Sequence, residues 1–465
     1  MRSSPSAAAD DTAGAGDVPP APADLVVVSA ARAAVRGATP IALAGLIANV
    51  ANIGVTLLVA RLLSTRGYGA LNQLVAVFFV LSITGSALLV GVVRRVTLWE
   101  RTGHAARVDG WAAHTRRRAL IIVAVWAVIA IAVRAPLAHQ LSLPGPGGLS
   151  ETLIAGAAWG LLCLERGLLQ ARHAYRQLGA NLLVEGLSRC VLTLALVGGG
   201  FGVTGAAIAI LASVLLGELH ALAAERVVIR RRLRASGAGA DAGDAVPLVA
   251  LTIVEHRRER RSLSTDLISA LIALALLAVL QNFDVVLLGR EQPSNAGSYA
   301  PISVACKPLV LAAFVLAGFL LPEAASRRHV GEHALRQLSV VLAVVAAPAS
   351  LLIVLALGAP TQVLRLAFGA RLTDGASAFA YLAGAMTLLA ATVLFTHYLL
   401  AAGRHLVLPV LGAGAALTVV LLLNAHGALA ATARADLLGQ AAVALATGGL
   451  VLHTALHHGF REPVG

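Results

Sequence analysis

The run YAPISVACKPLVLAAFVLAGFL, residues 299–320, decides how the rest of the chain is read. It is apolar enough to cross a membrane, yet it contains Lys307, the only lysine among 36 Lys and Arg residues. At ~1.5 Å per helical residue Lys307 lies roughly 12 Å below the nearer end of the run, close to the middle of a hydrocarbon slab about 30 Å thick. Charge is costly at that depth, so the lysine is expected to face a polar cavity or a charged partner.

Composition places the whole chain in the same class. Hydrophobic residues make up 58% and charged residues 13% of 465 positions, with a mean hydropathy of +0.83. Soluble domains carry roughly 25% charged residues. The expectation is an all-α polytopic membrane protein. The net charge of +13 does not point to nucleic acid, because aromatics are only 4% and the arginines fall in short connectors between apolar runs. Cys163, Cys190 and Cys306 lie in or beside apolar runs without pairing or metal spacing, and read as buried thiols. No cofactor and no metal site is expected. His453, His457 and His458 close the last apolar run without a carboxylate beside them.

Residues 1–37 read as a polar tail followed, from Asp24 to Gly37, by an interfacial helix rather than a signal peptide. Twelve spans follow at about 40–61, 70–93, 119–135, 149–168, 181–199, 201–222, 265–289, 298–321, 336–358, 376–399, 405–424 and 433–454. The third and fifth are short. With the N-terminus inside, 27 of the 36 basic residues fall on the cytoplasmic side and seven outside, and the other two, Arg189 and Lys307, lie within spans. That asymmetry predicts an even number of spans with both termini cytoplasmic. An Arg-rich linker, residues 223–264, separates a first bundle of six spans (38–222) from a second (265–455), with a short tail at 456–465. The linker is a candidate contact for anionic lipids or a cytoplasmic synthase, with plain tethering as the alternative.

Two pairs of segments recur at one offset. Val59-Ala60-Arg61 through Gly67-Tyr68-Gly69 matches Leu288-Gly289-Arg290 through Gly297-Ser298-Tyr299, with Tyr68 against Tyr299 at 231. Leu168 to Arg172 matches Leu399 to Arg404 at the same offset, as a duplicated six-span unit would produce. Gly198-Gly199-Gly200 lacks the Lys-Ser/Thr of a phosphate loop and reads as a tight turn between two spans.

Ala60-Arg61-Leu62-Leu63 with Gly67-Tyr68-Gly69, Arg166 through Arg172, and Asn282-Phe283-Asp284-Val285 together resemble the polysaccharide (O-antigen type) flippases. These belong to the multidrug/oligosaccharidyl-lipid/polysaccharide exporter superfamily. The resemblance covers roughly residues 38 to 455. It implies two six-helix bundles around a central cavity that opens alternately to either side and moves a polyprenyl-diphosphate-linked glycan outward across the cytoplasmic membrane. Beside it stands a chemical reading of the residues. An anionic diphosphate crossing a medium of low dielectric needs cations, and Lys307 and Arg189 are the two at mid-depth. Arg166 and Arg61, nearer the ends of their spans, complete the substrate-binding candidates. The structural alternatives are an Arg189 pair with Glu185, a Lys307 pair with Asp284, and headgroup snorkelling for Glu165, Arg166 and Arg61. Asp284 and Glu218 are the ion-coupling candidates, since a carboxylate at mid-depth can carry a proton or a sodium ion. A cation-coupled multidrug antiporter of the same superfamily is the alternative function. An enzyme is not expected, because the outside connectors are too short to house a catalytic loop. The expected partners are the lipid-linked glycan, membrane lipid and envelope polysaccharide synthesis enzymes.

Overall fold

The computed structural model describes residues 23–101, 106–237, 253–326 and 331–458, which are helices and short connectors with no strand among the described residues. In chain order the helices are α1 (Ala23–Leu62), α2 (Thr65–Arg101), α3 (Ala106–Gln140), α4 (Leu149–Ala171), α5 (Tyr175–Leu196) and α6 (Gly202–Gly237). The second series is α7 (Ile253–Glu291), α8 (Pro293–Ser326), α9 (Gly331–Gly358), α10 (Pro360–Phe368), α11 (Ala376–Ala401), α12 (Val407–Asn424) and α13 (Leu429–His458). All but α10 are long enough to cross a bilayer, and their sequential reversal puts the start of α1 and the end of α13 at one end of the bundle, the terminal end. The opposite end, where α1 meets α2, is the far end.

The spans expected from hydropathy lie inside longer helices. The apolar run that read as the third span belongs to a helix reaching back to Ala106, so Arg116, Arg117 and Arg118 are helical rather than in a loop. The Asp24–Gly37 segment and the first span are one helix, α1, with Pro40 inside it. The expected linker 223–264 shrinks, because α6 continues to Gly237 and α7 begins at Ile253. Residues 238–252 and 1–22, to which the rest of the linker and the polar tail were assigned, lie outside the described residues. The Gly198–Gly200 turn is a wide π-type turn, Val197–Phe201, with Gly200 at φ 89° and Gly202 at φ 56°, values glycine adopts without strain. Chain through this turn stays helical and apolar, so length and composition alone count eleven candidate spans, with 175–231 as one.

Packing divides the helices into two halves built alike. In the first half α1 packs on α5, α2 on α4, α3 on α4, and α6 on both α4 and α5. In the second, α7 packs on α12, α8 on α11, α9 on α11, and α13 on both α11 and α12. Each contact of the first half thus recurs between the corresponding helices of the second, and α10 is an insertion. The turns agree. Amides of Arg172, His173 and Ala174 donate to Leu168, Gln170 and Leu169 carbonyls, and those of Ala402, Gly403 and Arg404 donate to Tyr398, Leu400 and Leu399. His173 (φ 57°) and Gly403 (φ 73°) hold the left-handed position of the same helix-ending motif. The structural offset at this turn is 230 rather than 231, aligning Leu168 with Tyr398. The central helix of each half is also equivalent: 78% of the apolar window of α4 and 61% of that of α11 is buried, against 6% for peripheral α3. Leucines, valines and isoleucines of α3 and α9 form an exposed apolar belt.

Candidate functional site

The halves meet through α2, which packs on α7 and α8, and through the contact of α1 with α10. At the far end the contact is close. An added Cβ on Gly69 would lie 2.5 Å from the Gly297 amide nitrogen, and one on Gly297 would lie 2.1 Å from the Thr65 carbonyl oxygen. The Gln73 amide donates to the carbonyls of Leu141 (2.9 Å) and Val286 (3.3 Å), and the Ser142 hydroxyl donates to Arg290 (2.9 Å). Arg61 donates to the carbonyls of Leu366 (2.9 Å) and Ala367 (3.4 Å) at the end of α10, and Arg371 returns a bond to the Arg61 carbonyl (3.0 Å). Glycines and backbone acceptors thus seal this end.

Above the seal lies a cleft with ≈ 1150 Å³ of space, counting the part open to solvent. Its walls come from α1 (Asn52, Thr56, Val59), α2 (Tyr68, Asn72, Phe78, Phe79), α5 (Arg189, Thr193), α6 (Ala206, Ile210) and α8 (Val304, Lys307, Pro308, Leu311). Two of the four residues expected to bind substrate, Lys307 and Arg189, are brought to this one cavity from opposite halves. No carboxylate lines it. Pro308 has no amide hydrogen, so the Val304 carbonyl is left without its helical donor beside Lys307.

The Lys307 ammonium donates to Asn282 Oδ1 at 3.1 Å, and Asn282 is itself held by the Ala278 carbonyl at 3.0 Å. The Lys307–Asp284 pair, the structural alternative for this lysine, is not among the ion pairs of the described residues. Asp284 is fully buried behind the cavity wall and accepts the Tyr299 hydroxyl at 3.1 Å. Beside it, equally buried, is Asp436 of α13, which accepts Gln440 Nε2 at 3.1 Å while its other oxygen has no partner. The two carboxylates and Lys307 are close enough to interact electrostatically. Asp436 was missed in the sequence, although an acidic residue inside the run 433–454 with Gln440 one turn on was a usable signal.

The first half holds its charges in a chain of ion pairs. Arg189 pairs with Glu185 one turn away, as its structural alternative predicted, and also donates to Ser213 Oγ at 3.3 Å, with its guanidinium 5.7 Å from the Phe78 ring. Glu185 reaches Arg166 at 3.5 Å, and Arg166 donates to Asn181 Oδ1 at 2.7 Å and lies 5.1 Å from the Trp159 ring. Arg166 is therefore buried behind the cavity, not in it. Towards the terminal end, Arg116 binds both oxygens of Glu165 (2.7 and 2.8 Å) and Glu225 (2.6 Å). Arg172 pairs with Glu225 at 3.5 Å and with Asp109. The expected snorkelling of Glu165 and Arg166 is corrected: they are 0% and 4% exposed, because Arg116 of α3 pairs with Glu165 and Glu185 of α5 with Arg166 inside the half. Glu218 is also buried, and its Oε2 has no partner among the described residues. Arg61, the fourth substrate candidate, is placed in the far-end seal outside the cavity wall.

No protein-family model and no curated protein matches the chain. Solved structures do. An inward-facing multidrug resistance MATE family transporter of the MOP superfamily superposes with a TM-score of 0.63 at 14% identity, covering 87% of this chain and 95% of its own. The lipid II flippase MurJ, in an inward closed conformation, gives 0.60 at 12% identity over 88% of this chain and 87% of its own. The chain has the fold of the MOP-superfamily transporters. Likeness to an outward-facing MATE family transporter is lower, 0.56 at 13% identity over 91% of this chain and 94% of that one. Multidrug transporters and a lipid flippase share this architecture.

Proposed function

We propose that this chain is a flippase for a polyprenyl-diphosphate-linked glycan, moved from the cytoplasmic to the outer face of the membrane by alternating access. The observation that supports this reading is the polarity of the cavity wall: one cation from each half, aromatic and aliphatic surface around them, and no carboxylate. A diphosphate between Lys307 and Arg189, the latter shared with Glu185, would meet a cationic hydrogen-bond donor on both sides, where desolvation makes charge-assisted hydrogen bonds strong. An organic cation would find no carboxylate on that wall, and Glu185 behind it is already paired with Arg189, which disfavours the antiporter alternative. The terminal end is assigned to the cytoplasm from the arginine distribution, which makes the sealed far end the outer gate. Asp284 and Asp436 lie behind Lys307, and their charge state would control how firmly the lysine is held away from substrate. Glu218 is the corresponding buried carboxylate of the first half. Partners follow from the substrate: the enzymes that build the glycan and those that consume it.

Flipping of a fluorescent lipid-diphosphate oligosaccharide in liposomes tests the reading. Lys307→Ala or Arg189→Ala should slow protein-dependent flipping about tenfold or more at equal protein level. Wild-type flipping by both variants, or gradient-driven efflux of an organic cation without flipping, would falsify it.

A further inference from the structure

A second cleft lies on the outer wall of the first half, between the start of α5 and the end of α6, with ≈ 940 Å³ of space counting the part open to solvent. Its polar lining is Arg176 and Gln177 from α5 and His220 and Arg231 from α6. Ala180, Ala223, Ala224 and Val227 make the floor. On α6 these positions form one stripe, His220, Ala223, Ala224, Val227 and Arg231, at the three- and four-residue spacing that keeps side chains on one helix face. From Arg231 to His220 the stripe runs ~16 Å at 1.5 Å per residue. Small side chains along that length leave a furrow between two helices, charged at the terminal end and apolar further in.

The arginines here differ from those inside the half. Arg116, Arg166, Arg172 and Arg189 are all consumed by carboxylates. Arg176 and Arg231 are exposed and join no ion pair among the described residues. Two unneutralised guanidiniums above a furrow of alanines match one chemistry, a phosphate attached to an acyl chain. We propose that this groove is a binding site for an anionic glycerophospholipid of the leaflet at the terminal end, with its phosphate on Arg176 and Arg231 and one acyl chain along the alanine floor. A free phosphate would use the arginines and leave the floor exposed. The site is independent of what the central cavity carries. It adjoins the ion-pair network, because His220 Nδ1 lies 3.4 Å from the amide of Asn181, which holds Arg166. A lipid in the groove would therefore brace α5 against α6 beside those buried charges.

The test is retention of phosphatidylglycerol by the purified full-length protein, counted by native mass spectrometry during titration in detergent. Wild type should retain one phosphatidylglycerol in preference to phosphatidylcholine. Arg176→Ala/Arg231→Ala should weaken retention about tenfold or more. Ala223→Leu, which fills the floor and keeps both arginines, should weaken it as well. Arg117→Ala/Arg226→Ala removes the same charge from exposed positions outside the groove and should leave it unchanged. Equal loss in that control pair would reduce the effect to net charge and overturn the proposal. Wild-type retention by the groove double variant, or displacement of the lipid by inorganic phosphate at matching concentration, would overturn it too.

Discussion

Glu165 shows how much one carboxylate can hold. It is fully buried and receives two hydrogen bonds from Arg116, whose guanidinium also reaches Glu225. Glu165→Ala leaves that guanidinium short of a counter-charge inside the half, at a cost of about 3 kcal/mol. The expected outcome is a lowered melting temperature in detergent, with Arg116→Ala showing a similar loss, and the double variant losing less than the two singles combined. Arg61 has a different job. Its bonds to Leu366 and Ala367 carbonyls tie α1 to α10 across the halves, so Arg61→Ala should loosen the far-end seal and leave substrate affinity intact. A rise in labelling of a cysteine at Asn72 by a membrane-impermeant thiol reagent added from the outer side would register this. Unchanged labelling, with weaker substrate binding, would return Arg61 to the substrate site.

The same seal can be tested through helix packing. α2 approaches α8 so closely that a Cβ on Gly297 would sit 2.1 Å from the Thr65 carbonyl oxygen, a distance that forces backbone to move. Gly297→Ala should therefore push the far ends apart and populate the outward-open state, seen as increased outer labelling at Asn72 with little change in melting temperature. A large drop in melting temperature without added labelling would mean that the glycine serves the fold and not the gate. Most helices were legible in the sequence because an apolar run must be helical in a membrane, where no water satisfies a free backbone. Lys307 and Arg189 were legible for the same reason, being charges inside such runs. Hydropathy reports one helix at a time and does not see partners. It gave Arg61 the appearance of a substrate ligand and treated Glu165 as a snorkelling group. Helix ends were blurred for a related reason: polar turns such as Arg116–Arg118 continue a helix beyond the bilayer and carry no apolar signal. α10 escaped notice because nine residues fall below the length of any span.

At the scale of the whole molecule, two halves built from one six-helix plan meet at the far end and enclose a cavity with a cation on each side. Under the proposed alternating access, cargo held at Lys307 and Arg189 crosses only if the seal opens. Gly69 of α2 and Ala296 of α8 report on that step. A Cβ built on Gly69 lies 2.9 Å from the Ala296 Cβ, about 1 Å short of the usual ~3.8 Å in disulfides, so a bridge there needs the two helices to part by about that much. With Cys163, Cys190 and Cys306 replaced by alanine, Gly69→Cys/Ala296→Cys should oxidise once the helices give by that amount and should then tether the two far ends to each other. Flipping should then fall to the protein-free rate and return on reduction, while binding of the lipid-diphosphate head group from the cytoplasmic side persists. Flipping that continues with the bridge formed would mean that cargo crosses without the far ends parting. In that case alternating access would give way to passage along the lipid-facing surface of the bundle.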